Sequence, residues 1–354
     1  FIGLGYAPPM ADQPFLVSGG IGSPYTRKLR ALLIYRRIPH QFLHAPMPGM
    51  SGRPDLPKPP LPLLPCLYIP EADGGYRAVS DTSPIFRELE QLWDGREVLP
   101  PDPALAFLNS LVEDYADEWV TKQMFHYRWG TPDGVAHANN VLPLWRLGTT
   151  DEQVETFAAT FGQRQIDRLS GVVAGSIEVT GPIIEASYRR LLDILRDHLA
   201  VQHFVFGGRP SSADFAILGQ FTQLVQVEPP SMALAREHAP RVMAWVDVMD
   251  DLSGLEVGDD DWNGRDDLGP TFDALLGEIG RTYAPFMVAN AEAYDNDHDE
   301  VRCTIDGADY WQKPFAYQRK CLHWIREEYQ ALADADRAFV DGKLAGTGCE
   351  ILLA

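Results

Sequence analysis

The sequence predicts an α/β domain followed by an all-helical one, with a mostly helical stretch beyond. Three observations carry this. The first hundred residues alternate β-like runs and helical patterns in the order β-α-β, then β-β-α. After "GREVLPPDPA" no strong strand signal is present for some 150 residues, while helical spacing recurs. The last hundred residues read as helices around one small hairpin. The expected boundaries are 1–97 for the α/β part, 98–255 for the helical part and 256–354 for the extension. A chain of 354 residues has room for such cores.

In the α/β part "PFLVS" is a short strand. From Pro24 to about Arg37, Leu29, Leu32, Leu33 and Tyr35 form one helical face. Ser23-Pro24 is helix-start chemistry, because Ser caps an orphan amide and Pro suits the first turn. A hydroxyl at the positive end of a helix can also hold an anion, so two readings of Ser23 stand side by side. "HQFLH" alternates like a second strand, which makes His40 and His44 a poor metal pair. A Pro-rich loop follows. "LLPCLYI" and "YRAV" then flank "PEADGG", a hairpin signal. "DTSPIFRELEQLW" is a helix opened by Asp81, Thr82 or Ser83.

In the helical part, Leu108, Leu111, Val112, Tyr115 and Trp119 form an apolar stripe. Further helical patterns lie near 151–174, 185–201, 212–227 and 240–251. In "RPSSADFAILGQF", Ser211 and Asp214 have capping-box spacing. In the extension, "VRCTIDGADYWQ" is a hairpin signal around Asp306-Gly307. The aromatic residues of the flanking helical patterns predict packing on the body. Asp259, Asp261, Asn263 and Gly264 have the spacing of a calcium-loop start, but position twelve is Pro270 instead of Glu. An acidic linker with no metal is the better expectation.

Composition narrows the function classes. Formal net charge is −20. Residues 1–100 hold ten Lys/Arg against nine Asp/Glu, so the remainder carries −21. Such an acidic body disfavours nucleic acid. An anionic small molecule is better received by the first hundred residues, where Arg27, Lys28, Arg30, Arg36 and Arg37 cluster, although a solvated basic face accounts for most of them. Asp114 and Asp117 read likewise as an exposed acidic face. No apolar run approaches the ~20 residues of a membrane span, and "FIGLGYAPPM" lacks the pattern of a secretory leader. The four cysteines, Cys66, Cys303, Cys321 and Cys349, are scattered. They point to a reducing compartment, hence a cytoplasmic location.

Four segments, in order and register, resemble the cytosolic glutathione transferases. "GSPYTRKLRALLIYRRIP" looks like the first strand-to-helix junction of that family. "LPLLPCLYI" looks like its third strand, "AVSDTSPIFRELEQL" like its glutathione-carboxylate motif, and "FGGRPSSADFAILGQF" like the Ser-x-x-Asp helix start of its second domain. The likeness covers roughly residues 14–252. It implies a thioredoxin-like first domain, a helical second domain, glutathione as cofactor and a homodimer. By position, Ser23 would lie beside the glutathione sulfur, with Tyr25 as the alternative. Leu64 would offer backbone hydrogen bonds just before a cis-proline, Pro65. Asp81 and Thr82 would hold the γ-glutamyl end, with Thr where the family usually has Ser.

The chemistry then follows from the thiol. Near pKa 8.5 it is mostly protonated at neutral pH. A hydrogen bond from Ser23 and the helix's positive end would favour the thiolate. Lowering the pKa by about two units takes ~2.7 kcal/mol. The thiolate would attack an electrophilic small molecule. Tyr115, Trp119 and His126 are the candidates for that molecule's pocket, against a plain reading of each as core. A non-catalytic binding or assembly protein of the same fold is the alternative function.

Overall fold

The computed structural model describes residues 13–44 and 53–354; part of the Pro-rich loop lies outside them. Strand β1 (Phe15–Gly19) is buried along its whole length. It pairs in parallel with β2 (His40–His44) and antiparallel with β3 (Cys66–Pro70), which pairs antiparallel with β4 (Tyr76–Ser80). The sheet order is β2-β1-β3-β4. Helix α1 (Pro24–Tyr35) joins β1 to β2, and α2 (Thr82–Leu92) follows β4. This is the thioredoxin-like arrangement. Leu29, Leu32, Leu33 and Tyr35 form the fully buried face of α1.

The helical part starts with α3 (Pro103–Tyr115), which runs through one π-turn at residues 116–120 into α4 (Thr121–Trp129). Then come α5 (Pro132–Val141), α6 (Asp151–Phe157), α7 (Gln163–Arg168) and α8 (Ile177–His198). The set closes with α9 (Ser212–Gln226), α10 (Pro229–His238) and α11 (Pro240–Met249). Helices α5 and α10 escape sequence reading for a physical reason. Each buries only two small residues, Gly134 and Ala138 or Ser231 and Ala235, so neither shows an apolar stripe. Helix α8 begins at Ile177 rather than near 185; Pro182, a residue that ordinarily interrupts a helix, lies inside its first two turns and hides them from sequence reading. At Ser211, the backbone N–H donates to Asp214 Oδ2 at 2.8 Å and the hydroxyl donates to the same oxygen at 2.7 Å, closing the start of α9.

Helices α1 and α9 cross closely at Gly219. A Cβ there would lie 2.6 Å from the carbonyl oxygen of Pro24, so only glycine lets α9 support the first turn of α1.

The extension contains α12 (Pro270–Glu278), α13 (Ala284–Asp295), a hairpin of β5 (Val301–Ile305) and β6 (Ala308–Gln312), α14 (Ala316–Ala331) and α15 (Asp334–Leu344). Asp306 and Gly307, with φ of 54° and 77°, make the hairpin turn expected of Asp-Gly. One buried apolar cluster runs from Leu32 through Leu111 and Phe221 to Leu276, Tyr310 and Leu352, so all three parts share a core. The Trp119 ring lies 5.8 Å from both Phe286 and Tyr310. Buried Lys122 donates to the Val173 carbonyl at 2.6 Å and to Gln312 Oε1 at 2.7 Å, tying the hairpin to α4. Burial lowers its pKa to about 7.

The acidic segment forms two short turns, Asp259–Asp261 and Arg265–Asp267. Asp261 Oδ2 accepts from the Gly258 amide at 2.7 Å and Asp267 Oδ2 from the Gly264 amide at 2.8 Å. These carboxylates brace backbone. Among the described residues, no group of three or more His, Cys, Asp or Glu is placed to hold a metal ion, and no helix is long and apolar enough to cross a membrane.

Candidate active site at the end of the sheet

Register places the expected site residues at one end of the sheet. Ser18 on β1 stands opposite Cys66 on β3, which stands opposite Ser80 on β4. The segments just beyond these three residues therefore meet: Gly20 to Ser23 after β1, Leu64-Pro65 before β3, and Asp81-Thr82 after β4. A Cβ on Gly20 would lie 3.4 Å from Leu64 Cδ1. The Leu64-Pro65 peptide is cis.

Each segment is held by its own contacts. Ser23 Oγ accepts from the Thr26 amide at 3.3 Å and Pro24 follows as the first helical residue, so Ser23 is the N-cap of α1. The preceding loop is tied by its carbonyls. Arg128 Nη1 donates to Gly22 O at 2.8 Å, and Arg27 Nε to Ile21 O at 3.2 Å. Arg128 is itself fixed by Glu228 Oε1 at 2.6 Å and Gln223 Oε1 at 2.7 Å. Asp81 has φ 82° and ψ 119°, a sparsely populated conformation that costs about 1–3 kcal/mol. The Tyr317 hydroxyl of α14 donates to Asp81 Oδ2 at 2.7 Å. Thr82 is buried at the start of α2.

One turn along α1 the chemistry changes. Lys28 is fully buried and donates to Glu113 Oε1 at 2.8 Å and Asp117 Oδ2 at 2.6 Å. Glu113 also accepts from Arg87 at 2.8 Å, Ser83 at 3.0 Å and Ser212 at 2.7 Å. Burial alone would raise the Glu113 carboxyl, but the Arg87 and Lys28 charges outweigh it and hold it well below the usual range. Its neighbours lack such cover. Burial and the charge of Asp117 push Asp114 up to about 7, although the Tyr283 hydroxyl bonded to it opposes the rise. Burial raises Asp117 to about 6 despite Lys28, and burial with Asp114 and Asp117 raises Glu118 to about 8. These groups border a cavity of about 220 Å³ between α2, α3 and α14.

The glutathione S-transferase N-terminal domain family matches residues 20–97, and the glutathione S-transferase C-terminal domain family matches residues 151–247. The chain belongs to the glutathione S-transferase superfamily. Residues 98–150 and everything after 247 lie outside both matches. Among solved structures, a glutathione S-transferase from Methylobacterium radiotolerans in complex with glutathione sulfonate is 18% identical, over 66% of this chain and 89% of its own, with a TM-score of 0.40. A GST-like protein from Pseudomonas syringae is 18% identical over 67% of this chain and 66% of its own, with a TM-score of 0.39. A glutathione transferase from Burkholderia graminis, with two glutathione molecules bound per subunit, is 15% identical over 68% and 85%, with a TM-score of 0.40. No curated protein matches the chain.

Within this transferase fold the sequence-based site divides. Ser23, Leu64, Pro65, Asp81 and Thr82 gather at the sheet end. Tyr25 does not join them as a free hydroxyl: it donates to the Asp117 carbonyl at 2.8 Å, and burial holds its pKa well above the ordinary value. Tyr115, Trp119 and His126 are core residues instead of pocket walls. Tyr115 packs edge-on against Tyr283, Trp119 donates to Ser187 Oγ at 2.9 Å, and His126 Nε2 lies 3.1 Å from Glu185. None of the three lines the cavity below α2. The readings of surface charge also need correction. Lys28 and Arg36 are buried, Arg36 against Glu90 at 2.6 Å, and Asp117 is buried against Lys28. Sequence reading missed Arg128, Glu113 and Tyr317, whose partners lie far along the chain and leave no local spacing signal.

Proposed function

We propose that this chain is a glutathione-dependent transferase in which Ser23 holds the thiol as thiolate for attack on an electrophilic small molecule. The observation that carries the reading is the geometry at Ser23. Its oxygen accepts the Thr26 amide, so its proton is available to a sulfur lying beyond the helix end. The residues present fit glutathione: a neutral hydroxyl at the positive end of a twelve-residue helix for sulfur, the Leu64 backbone ahead of Pro65, and the Asp81-Thr82 pair for the γ-glutamyl end. Bound glutathione supplies the nucleophile. Ser23 and the α1 terminus favour its charged form, and Ser23 takes no covalent part. Tyr25 is already committed to Asp117, which leaves Ser23 as the activating residue.

A second reading, a non-catalytic binding or assembly protein, is favoured by one contact. Tyr317 of the extension donates to Asp81 Oδ2, on the carboxylate proposed for the γ-glutamyl end. Calorimetry separates the two. The transferase reading expects glutathione binding that Asp81→Ala weakens strongly, and a bound-thiol pKa, read by thiolate absorbance, that Ser23→Ala raises and Tyr25→Phe leaves in place. Absence of glutathione binding by the unaltered chain gives the second reading.

Four free cysteines, three of them buried, fit the reducing cytoplasm proposed for this protein. A homodimer through the aromatic stripe of the first long helix is not what the contacts support. Tyr115 and Trp119 are covered by Tyr283, Phe286 and Tyr310 of the same chain. A dimer would use another face, and light scattering against the 39.5 kDa chain mass decides it.

A further inference from the structure

Asp81 gives up two local preferences at once. It stands at the N-cap of α2, where an Asp ordinarily accepts from the amide of the second or third helical residue, yet its side chain makes no capping hydrogen bond. Its backbone, with φ 82° and ψ 119°, is in a region that an L residue keeps only when its surroundings hold it there. Neither the cap of α2 nor the turn after β4 explains this residue.

What the carboxylate does meet is α14. The Tyr317 hydroxyl donates to Oδ2 at 2.7 Å, from 236 residues further along the chain. Burial raises the Tyr317 pKa far above its ordinary value, so the hydroxyl keeps the proton it donates. Tyr317 is itself fixed. It lies in the first turn of α14, and Phe315 just ahead of that helix is clamped on both backbone groups by the buried Asn290 of α13. Asn290 Nδ2 donates to the Phe315 carbonyl at 3.0 Å, and its Oδ1 accepts the Phe315 amide at 2.9 Å. The Tyr317 ring packs edge-on against Trp324.

The second oxygen of Asp81 is left over. The residue is half-buried, and among the described residues Oδ1 has no hydrogen-bond partner. A carboxylate accepts through both oxygens, so a hydroxyl on Oδ2 fixes its plane without using up its charge. The γ-glutamyl end of glutathione carries an α-ammonium, which such an oxygen receives in a charge-assisted hydrogen bond. A rotating carboxylate would have to be ordered on binding, at a cost in affinity; Tyr317 has set the order beforehand. Tyr317 lies beyond both family matches, the second of which ends at residue 247.

We propose that Tyr317 is a positioning residue of the glutathione site, holding Asp81 so that Oδ1 receives the α-ammonium of the γ-glutamyl group. The extension thereby completes a site whose other parts come from the sheet end. This rests on the transferase reading above and adds to it the residue that presents the γ-glutamyl subsite. Removing one hydroxyl does not undock the extension, because the extension shares the apolar core through Phe286, Tyr310 and Leu352.

Calorimetry of the full chain tests it with two ligands, glutathione and glutaryl-cysteinylglycine, which differ only in the α-ammonium. The unaltered chain should bind the glutaryl ligand more weakly. Tyr317→Phe should weaken glutathione about fivefold and leave the glutaryl affinity unchanged. That retained affinity also shows the site to be intact in the variant. Tighter glutathione binding by Tyr317→Phe would make the hydroxyl a competitor for Asp81. Equal weakening of both ligands would make it a prop for the fold, and unchanged glutathione affinity would leave it no role. Each of these overturns the assignment while the transferase reading stands. Absence of glutathione binding by the unaltered chain overturns both.

Discussion

Around Ser23 the groups are a hydroxyl, backbone amides and carbonyls, and a single carboxylate at Asp81. One turn further along α1, Lys28 faces Glu113 and Asp117 in a space walled by two more acids, Asp114 and Glu118. The same helix serves both regions, yet they are held in different ways. At the sheet end, geometry comes from register, a cap and a loop clamped by one buried ion pair, Arg128 with Glu228. Behind the helix, geometry comes from buried ions whose desolvation is only partly offset by pairing. The difference teaches where this protein is sensitive: the first region should tolerate single changes that the second does not.

Lys28→Met is the strongest way to break that comparison. It leaves Glu113 with Arg87 alone and Asp117 with no cation, so a loss of about 3–5 kcal/mol is expected in denaturant unfolding. A loss below about 1 kcal/mol would mean that the carboxyls are already neutral and the two regions are alike in kind. Next in size is pH. Asp114, Asp117 and Glu118 keep their protons in the folded chain to about 7, 6 and 8, and lose them near pH 4 when unfolded. Over that window the folded chain binds more protons, so stability falls as pH rises. Lys28, Arg87, Tyr283, Tyr317, Cys321 and Lys122 face these acids and set the size of the effect. Lys122 acts in the opposite sense, but only above its folded value of about 7. A fall of several kcal/mol between pH 5 and 7, about 1.4 kcal/mol per extra bound proton and pH unit, is expected from the urea midpoint, and Glu118→Gln should reduce it.

Smaller effects belong to the sheet end. Ser23→Ala removes the cap of α1 and should cost about 1 kcal/mol of stability, with no change in the pH slope. Tyr317→Phe removes the hydroxyl from Asp81 while keeping the ring, and about 0.5 kcal/mol is expected from the same unfolding measurement. A loss of several kcal/mol in either variant would show the sheet end to be as charge-dependent as the acid wall.

These two regions also differ in how far they could be read from sequence. The strands, α1 and α2 were legible because each has a local signature: Ser23-Pro24 at a helix start, "PEADGG" between two apolar runs, Asp81 to Ser83 ahead of an amphipathic helix. Once β1, β3 and β4 pair in register, the site residues meet without further information. The acid wall has no such signature. Lys28 on α1, Ser83 on α2, Glu113 on α3 and Ser212 on α9 converge only in three dimensions. Spacing alone made Asp114 and Asp117 a solvated face, because the sequence does not show that a helix some two hundred residues later lies across them. Tyr115 and Trp119 misled for the related reason that aromatic side chains suit a pocket and a core equally, and here the core was supplied by the extension.

The late position of α14 has a consequence for how the molecule is assembled. During synthesis α3 and its carboxylates leave the ribosome long before residues 316–331 exist, so the acids first face water and ionise in the ordinary way. When α14 finally settles over them, burial raises their affinity for protons, and near neutral pH protons must be drawn from solution as it docks. Docking of α14 over these acids is therefore a proton-consuming step near neutral pH, and the acidity of the surroundings enters it as a reactant.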